Sequence, residues 1–562
     1  MTTVEAHKKA PPETAESINL RSKIVISFWA VILLLGLPTW LKTTQIYRAS
    51  LPLQDMLALS EGEARPLLIC TKPTPIVPVQ VWLDLPGVLC PDAQTIVQET
   101  QVEIESLHRS LPLRPWLRLV HNKEDRGPKC GPSTEELREE SPDLEVRLGG
   151  SGEPYSFDIL PGNTKAYFRY APSQRATLPK SLAASVSDIF SSEIIAHLLN
   201  INSLVSNHAY QDALPRYSAD AVHEVELQMG RAAKISPQYH ATFSLFSAGG
   251  SPSSWDIQKA LDKHIQPLVY ALRKTARIAL GTQVQLFSSY SPSIQPKKID
   301  GAEGHFLEQK DLTSFVNAAE WPLSPSVGDG PTLNFIAYVP SKADVPLGVM
   351  DSPGGAWLVP QWGGISILNL DVITDHEFGS TELPSQVPEE KLASMFETFS
   401  TQFLALLGVP TLTYDGPVAE RLLPLAFRLQ AHQRISALHL HLKAASSLAS
   451  LARLAKHLHT IPIPKHVSQL VDNTMSNLTA SDAAMLEGNW DAAIEHASLA
   501  YTDSEKAFFD KSMVGQVYFP DEHKVAVYLP FLGPIAVPLV VSLLREIKRF
   551  LEIIRARKKR SP

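Results

Sequence analysis

Cysteine is scarce. Only Cys70, Cys90 and Cys130 occur in 562 residues, and no Cys-x-x-Cys pair is present. Three thiols cannot build a disulfide-stapled scaffold or supply a four-cysteine zinc site. In an oxidising compartment they allow one bridge and one free thiol, with every pairing open. The glycine-rich nucleotide fingerprint, His-Glu-x-x-His and Gly-x-Ser-x-Gly are also missing. The chain therefore lacks the signatures of a dinucleotide fold, a zincin helix and a nucleophile elbow. Positive charge is in deficit: 51 lysines and arginines face 58 aspartates and glutamates, for a net charge of −7. A nucleic-acid binder needs a broad basic face. Basic residues are dense only at the C-terminus, which excludes nucleic acid as an expected partner.

Apolar residues make up 44% of the chain and charged residues 19%. That balance supports a packed core and excludes global disorder. The length exceeds one typical domain. There are 44 prolines, where average usage of about 5% would give about 28. Rigid turns and irregular connections are expected.

Uninterrupted apolar runs are few, and two of them set the topology. Ile24 to Leu41 is uncharged over 18 residues between Lys23 and Lys42. Val525 to Leu544 is uncharged over 20 residues between Lys524 and Arg545. A hydrocarbon layer about 30 Å thick needs about 20 apolar residues in a helix, so each predicts a membrane span. A cleaved signal peptide is the other reading of the first run. The run is longer than a signal core, and the following LKTTQIYRAS is a weak cleavage site, so a retained anchor is expected.

Lys8, Lys9, Arg21 and Lys23 precede the first span, and Lys42 and Arg48 follow it. Arg545, Lys548, Arg549, Arg555, Arg557, Lys558, Lys559 and Arg560 follow the second, whereas Asp521 and Glu522 offset Lys524 before it. The positive-inside rule then places both termini in the cytosol. The 483 residues from Lys42 to Lys524 are expected in the lumen. One sequon, Asn477-Leu478-Thr479, lies there, which makes Asn477 a candidate glycosylation site.

Within the luminal stretch, residues 75–85 alternate and predict a strand, and 93–111 predict a helix. Strands are expected at 116–120 and 166–170, separated by a charged surface loop over 121–155. A helix is expected over 180–204 and a strand at 239–248. A helix over 254–272 follows, with Ser254 as its cap. Residues 282–290 and 333–340 predict strands, and 356–370 predict two more around a glycine-rich turn. Strands alternating with helices imply an α/β layered domain. From Glu389 the period becomes helical, with helices expected over 391–409, 436–458, 467–486 and 490–509. No internal repeat is visible in the sequence.

No residue stands out as catalytic or metal-binding. Cys70 sits in an apolar stretch and Cys90 precedes Pro91 near a turn. Cys130 adjoins Lys129, a neighbour that could activate a thiol, yet none has a specific base-bearing context. His439 and His441, like His457 and His459, are two residues apart and point to different faces of a helix. Asp371, Asp375, His376 and Glu377 could hold a divalent cation, but a solvated polar turn is the commoner arrangement. No catalytic residue, metal site or cofactor is expected. Pro530, Pro534 and Pro538 recur every four residues in the second span. They line one helix face with Gly533 nearby, a candidate face for packing against partner helices.

Three segments in order carry a family resemblance: GLPTWLKTTQIYRASLP (36–52), FSLFSAGGSPSSWDIQKALDKHIQPLVYAL (243–272), and PQWGGISILN (360–369) with the helix FETFSTQFLALLGVP (396–410). With the two terminal spans they resemble the phosphatidylinositol-glycan class S (PIG-S) family, a subunit of the glycosylphosphatidylinositol (GPI) transamidase complex. The resemblance covers nearly the whole chain; loop 121–155 has no counterpart in it.

It implies an endoplasmic reticulum complex that replaces a precursor's C-terminal signal with GPI through an ethanolamine amine. The Cys–His catalyst is then a separate, caspase-like subunit, so this chain is expected to be non-catalytic. Implied partners are that subunit, the luminal scaffold and multi-span subunits and the lipid bilayer, with GPI or precursor protein as further candidates. The alternatives are a luminal hydrolase or a precursor-binding chaperone acting independently. The expected fold class is an α/β luminal domain with a helical C-terminal subdomain, flanked by two transmembrane α-helices. The expected order is a cytosolic tail (1–23), first span (24–41), α/β domain (42–388), helical subdomain and connector (389–524), second span (525–544) and basic cytosolic tail (545–562).

Overall fold

The computed structural model describes residues 14–44, 47–61, 76–123, 128–137, 142–150, 155–204, 210, 212–299, 304–316, 330–350, 352, 354–371, 373–374, 381–415, 420–458, 461–514 and 521–558. The chain divides into two units. The smaller holds Met1–Leu51, Leu454–Gln469 and Phe509–Pro562; the larger holds Pro52–Arg453 and Leu470–Phe508.

The larger unit contains two five-stranded sheets. The first is formed by β1 (Val77–Asp84), β2 (Leu113–Val120), β3 (Leu144–Gly150), β4 (Ser156–Ile159) and β5 (Lys165–Tyr170), in the order β2-β1-β3-β5-β4. All neighbours are parallel except β4 and β5. The second is formed by β6 (Gln238–Ser247), β7 (Arg277–Leu286), β8 (Thr332–Val339), β9 (Ala356–Val359) and β10 (Gly363–Ile367), in the order β7-β6-β8-β10-β9. Here only β9 and β10 are antiparallel. The two sheets share one topology. The first strand is followed by a helix and the second strand on one side; the third and fifth strands add on the other, and the fourth closes that edge antiparallel. The sequence shows no repeat, but the fold contains one.

In the first sheet, α3 (Cys90–His108) makes the β1 to β2 crossover. Parallel neighbours require such a crossover. Val77, Val79, Val81 and Leu83 of β1 are fully buried and share a core with Ile96 and Ile104 of α3. The charged stretch 121–155, expected as a loop, contains the central strand β3. Leu144, Val146 and Leu148 alternate inward, while Glu145 pairs with Lys165 at 2.8 Å and Arg147 with Asp84 at 3.4 Å. The intervening charges are cross-strand partners, not signs of solvation.

The helix expected over 180–204 is two helices, α4 (Leu178–Ile189) and α5 (Ser191–Leu204), bent by 53° at Phe190. The unpredicted α6 (Ala219–Arg231) follows, with Ser218 Oγ accepting from the Ala221 N–H as its cap.

The second sheet rests on α7 (Glu389–Leu406), which inserts Phe396, Phe399 and Phe403 against Phe243 and Phe335. Ring centroids lie 4.9 Å apart for Phe243 and Phe335 and 5.4 Å apart for Phe335 and Phe399. Each buried ring contributes about 1.5–3 kcal/mol through area removed from water. Since α7 shares this core, the expected division at Glu389 does not separate an α/β domain from a helical one.

Two further expectations are corrected. Ser254 and Trp255 form a short strand paired with Gln386 and Val387, so Ser254 is not a cap and the helix starts at Ile257. The glycines at 363 and 364 lie within β10, not in a turn. The turn is Pro360–Trp362, where Gln361 adopts φ +62°. A Cβ on Gly363 would collide with the carbonyl oxygen of Asn334, its partner on β8.

Three long helices follow: α8 (Leu425–His457), α9 (Lys465–Leu486) and α10 (Trp490–Phe508). Phe427, Ala431, Leu438 and Leu442 of α8 join the core of the first sheet, as do Met485 of α9 and Ile494 of α10.

In the smaller unit, α1 (Ala15–Val31) runs through a π-helical turn (Ile32–Gly36) into α2 (Leu37–Thr44). Residues Glu16–Thr39 form a helix apolar and long enough to cross a membrane. α11 (Asp521–Lys558) is continuous and includes Pro530, Pro534 and Pro538. It also absorbs residues 545–558, expected as a tail. At about 1.5 Å per residue, its 38 residues span roughly 57 Å, well beyond one hydrocarbon layer.

Candidate functional site

Two polar constellations in the larger unit hold elements together without a free reactive group. Arg434, in the middle of α8, is fully buried. Its Nε and Nη2 donate to the two carboxylate oxygens of Glu193 on α5, each at 2.7 Å. Its Nη1 donates to Asp143, immediately before β3. Asp143 Oδ2 also accepts from the Gln80 N–H of β1 at 2.8 Å. One guanidinium thus connects α5, α8 and the two central strands of the first sheet. Burial pushes the Glu193 carboxyl up, but the Arg434 charge and its two hydrogen bonds outweigh that and hold it at about 2. Asp143 has a single guanidinium bond and goes up instead, because burial prevails there. The second constellation joins α8 to α9, where His441 Nε2 lies 3.1 Å from Asp482 Oδ1 and Nδ1 lies 3.4 Å from Ser481 Oγ.

Open α/β sheets bind ligands beyond the carboxyl ends of their strands, at the point where strand order reverses. In the first sheet that point lies between β1 and β3. Asp84 and Arg147 form an ion pair there, and the neighbouring 128–130 segment closes over the end of β1 and β2. Cys90, at the start of α3, is bonded to Cys130 of that segment. Between the ends of β1 and β2 and residues 128–130 lies a cavity of about 10 Å³, room for about one water. The bridge encloses 40 residues of separation, a loop whose closure contributes about 4 kcal/mol on the chain-entropy account. With Cys130 in a disulfide, the thiol beside Lys129 is not a nucleophile in this structure.

Other sequence candidates are dispersed. Cys70 and the Asp375, His376 and Glu377 part of the acidic cluster lie outside the described residues, whereas Asp371 is exposed. No group of metal-ligating side chains occurs among the described residues. His439 pairs with Asn200 and His441 with α9, as their spacing implied. Asn477 lies inside α9, where its Oδ1 is 3.0 Å from His496 Nδ1 and its Nδ2 donates to the Asn473 carbonyl at 3.0 Å.

The smaller unit exposes apolar side chains on both of its terminal helices. Ile26, Leu34 and Leu35 before α2, and Val537 and Leu544 of α11, are exposed. Pro530, Pro534 and Pro538 are exposed along one stripe, with Gly533 half-buried. Each proline lacks the N–H that would satisfy the carbonyl four residues earlier, leaving Ala526, Pro530 and Pro534 short of that bond. α1 and α11 are joined by a polar clasp. Arg21 Nε is 3.4 Å from Glu546 Oε1, and Ser22 Oγ donates to Glu546 Oε2 at 2.8 Å. Arg549 Nη1 donates to Ser22 Oγ at 3.1 Å.

Residues 27–552 match the family model described as phosphatidylinositol-glycan biosynthesis class S protein, PIG-S. The chain belongs to the PIG-S family. Relatives of similar length agree. The GPI-anchor transamidase component PIGS of Rattus norvegicus is 28% identical over 567 residues, covering 96% of each chain. The Homo sapiens protein of the same name is 27% identical over 560 residues, covering 94% of this chain and 95% of that one. The GPI transamidase component PIG-S homolog of Schizosaccharomyces pombe is 27% identical over 555 residues, covering 96% and 86%. The family match therefore includes both terminal helices and both sheets.

Sequence reasoning missed the Arg434 cluster. Its signal was present: Glu193 interrupts the apolar face of SSEIIAHLL, and Arg434 sits in a helix whose neighbours Ile435, Ala437 and Leu438 are core residues. Asp143 was hidden in the presumed loop.

Proposed function

We infer that this chain is a membrane-anchored, non-catalytic subunit of the endoplasmic reticulum GPI transamidase, acting in assembly and positioning of the complex. The observation that carries this reading is the family match over residues 27–552, together with relatives of nearly equal length named as transamidase components. The bonded Cys130, which leaves no free thiol beside Lys129, supports a non-catalytic role. Its partners are then a caspase-like catalytic subunit and the scaffold and multi-span subunits. Nothing in the comparisons favours an independent hydrolase or chaperone.

The test is rescue of cells lacking their own family member. The chain should restore GPI-anchored proteins to the cell surface. Single alanine replacements of Cys70, Cys90 and Cys130 should do so too, when compared at matched complex abundance, because no thiol performs the chemistry. Normal assembly with abolished surface display in any one of them contradicts the non-catalytic reading.

Two spans with both ends in the cytosol form part of the same reading. Lysine and arginine are concentrated outside both runs. The clasp supports it: residues 21–22 meet 546–549, a contact that fits outer ends sharing one side. Protease added to sealed microsomes should remove only the tails. Cleavage within residues 77–508 before detergent is added contradicts this topology.

A further inference from the structure

The smaller unit gathers three stretches of chain, and within it the segment after α2 is fastened to the tip of the α8–α9 hairpin. Ala49 N donates to the Ile463 carbonyl at 2.8 Å, and Ile463 N donates to the Tyr47 carbonyl at 3.3 Å. Arg48 Nη2 donates to the Ala455 carbonyl, and Ser468 Oγ donates to the Ser50 carbonyl at 3.2 Å. His466 Nε2 lies 2.7 Å from Asp510 Oδ2, which ties in the residues after α10. Ile461, Ile463 and Val467 are buried, so the tip keeps these apolar side chains inside.

What this region turns outward is largely basic. Lys456, Lys465 and Lys511 are exposed, as are Leu458 and Tyr47, the latter at 65%. Residues 42–51, 454–469 and 509–514 hold Lys42, Arg48, Lys456, Lys465 and Lys511 against one acid, Asp510, in a chain of net charge −7. Lys456 lies at the end of α8, where the helix dipole favours a cation. Lys465 opens α9, where the dipole opposes one. Local helix stability therefore does not account for Lys465.

Chain length limits how far this surface can lie from a bilayer. The uncharged run ends at Leu41 and α2 ends at Thr44, about 5 Å of helix later. Three more residues reach Tyr47, at most about 11 Å further when fully extended. The headgroup layer outside the hydrocarbon is about 5–8 Å deep. Lysine stems are long enough to bridge much of the difference, and tyrosine favours that interface. A soluble acidic partner would explain the lysines but not their fastening to the exit of the first helix.

We propose that the α8–α9 tip and Lys511 form an interfacial contact with the phosphate groups of anionic phospholipids. Lys456, Lys465 and Lys511 meet the phosphates, and Tyr47 and Leu458 enter the headgroup layer. The proposal rests on the reading that residues 24–41 span the membrane.

The full chain is reconstituted in nanodiscs of phosphatidylcholine containing a minority of phosphatidylserine. A diazirine-bearing leucine analogue replaces Leu458 or, in a second preparation, Leu34, which is exposed on the first apolar helix. Photolysis and mass spectrometry should find phospholipid adducts at both positions. Phosphatidylserine should be over-represented at 458 relative to 34 by about fivefold, the worth of one basic residue near the surface. Joint Lys456→Glu, Lys465→Glu and Lys511→Glu replacement should abolish that enrichment. The corresponding glutamine triple variant serves if charge reversal lowers the melting temperature. In native microsomes the probe at 458 should still reach phospholipid. No lipid adduct at 34 overturns the span reading and this proposal with it. Lipid adducts at 34 but not at 458 overturn the proposal alone. So do equal phosphatidylserine use at the two positions, enrichment that survives charge removal, or a protein adduct in place of lipid in microsomes.

Discussion

Replacing Arg434 with methionine should destabilise the larger unit by about 3–5 kcal/mol, the usual cost of removing one partner from a buried ion pair. The loss is large because Glu193 and Asp143 remain buried without their shared cation. Acid should change the two proteins in opposite directions. In the wild type, Glu193 is held at about 2, below an ordinary carboxyl near 4.3. Its stabilising contribution is fully present above the ordinary value and is lost as pH falls towards 2. Without Arg434 burial raises the same carboxyl, so the variant gains relative stability as Glu193 becomes protonated. The deficit measured by thermal melting should therefore be greatest near neutral pH and narrow towards pH 4. A deficit independent of pH would show that lost packing, not stranded charge, is the cause.

Gly363→Ala should be at least as damaging as an ordinary overpacked core substitution, which costs about 1–3 kcal/mol and occasionally more. Gly363 lies opposite Asn334 on the central strand β8, and the added Cβ meets main chain there, not a side chain that could move. Opening the contact also disturbs the Asn334 N–H to Trp362 carbonyl bond of 3.0 Å. Expression should fall and protease sensitivity rise, whereas Gly354→Ala, with open space around it, should behave like wild type. Equal stability of the two variants would contradict the packing argument.

The periodic elements were readable because burial imposes period 2 or 3.6 on them. β6, β8, α7, α9 and α10 fall close to their expected ranges for that reason. β3 was hidden because its alternating positions are charged, and only pairing with Lys165 and Asp84 reveals why. The break at Phe190 was hidden because both α4 and α5 are apolar on the faces they bury, so one uninterrupted stripe fits two helices. The repeated sheet topology could not be read from one chain, since topology is conserved by packing geometry and not by residue identity. The family was legible in three ordered segments, and their match extends over residues 27–552. A cavity lined by Asn200 and His439 had no linear signal, because its walls come from α5, α6, α8 and the segment at the end of α7, and those two residues are 239 apart in sequence.

The central claim is that this chain works as an assembled transamidase subunit, to whose assembly α11 is proposed to contribute. α11 presents Pro530, Pro534 and Pro538 on an exposed stripe, with carbonyls that neighbouring helices could satisfy. The decisive measurement is recovery of the other transamidase subunits with the tagged chain in mild detergent. A second tagged chain, with Val525–Leu544 exchanged for a leucine-rich span of equal length, is measured beside it. The account predicts co-elution of the catalytic and multi-span subunits with the native chain, and reduced recovery of the multi-span subunits with the exchanged one at equal abundance and unchanged topology. A native chain that elutes without transamidase subunits contradicts the central claim. Equal recovery by both chains shows that the larger unit alone carries assembly.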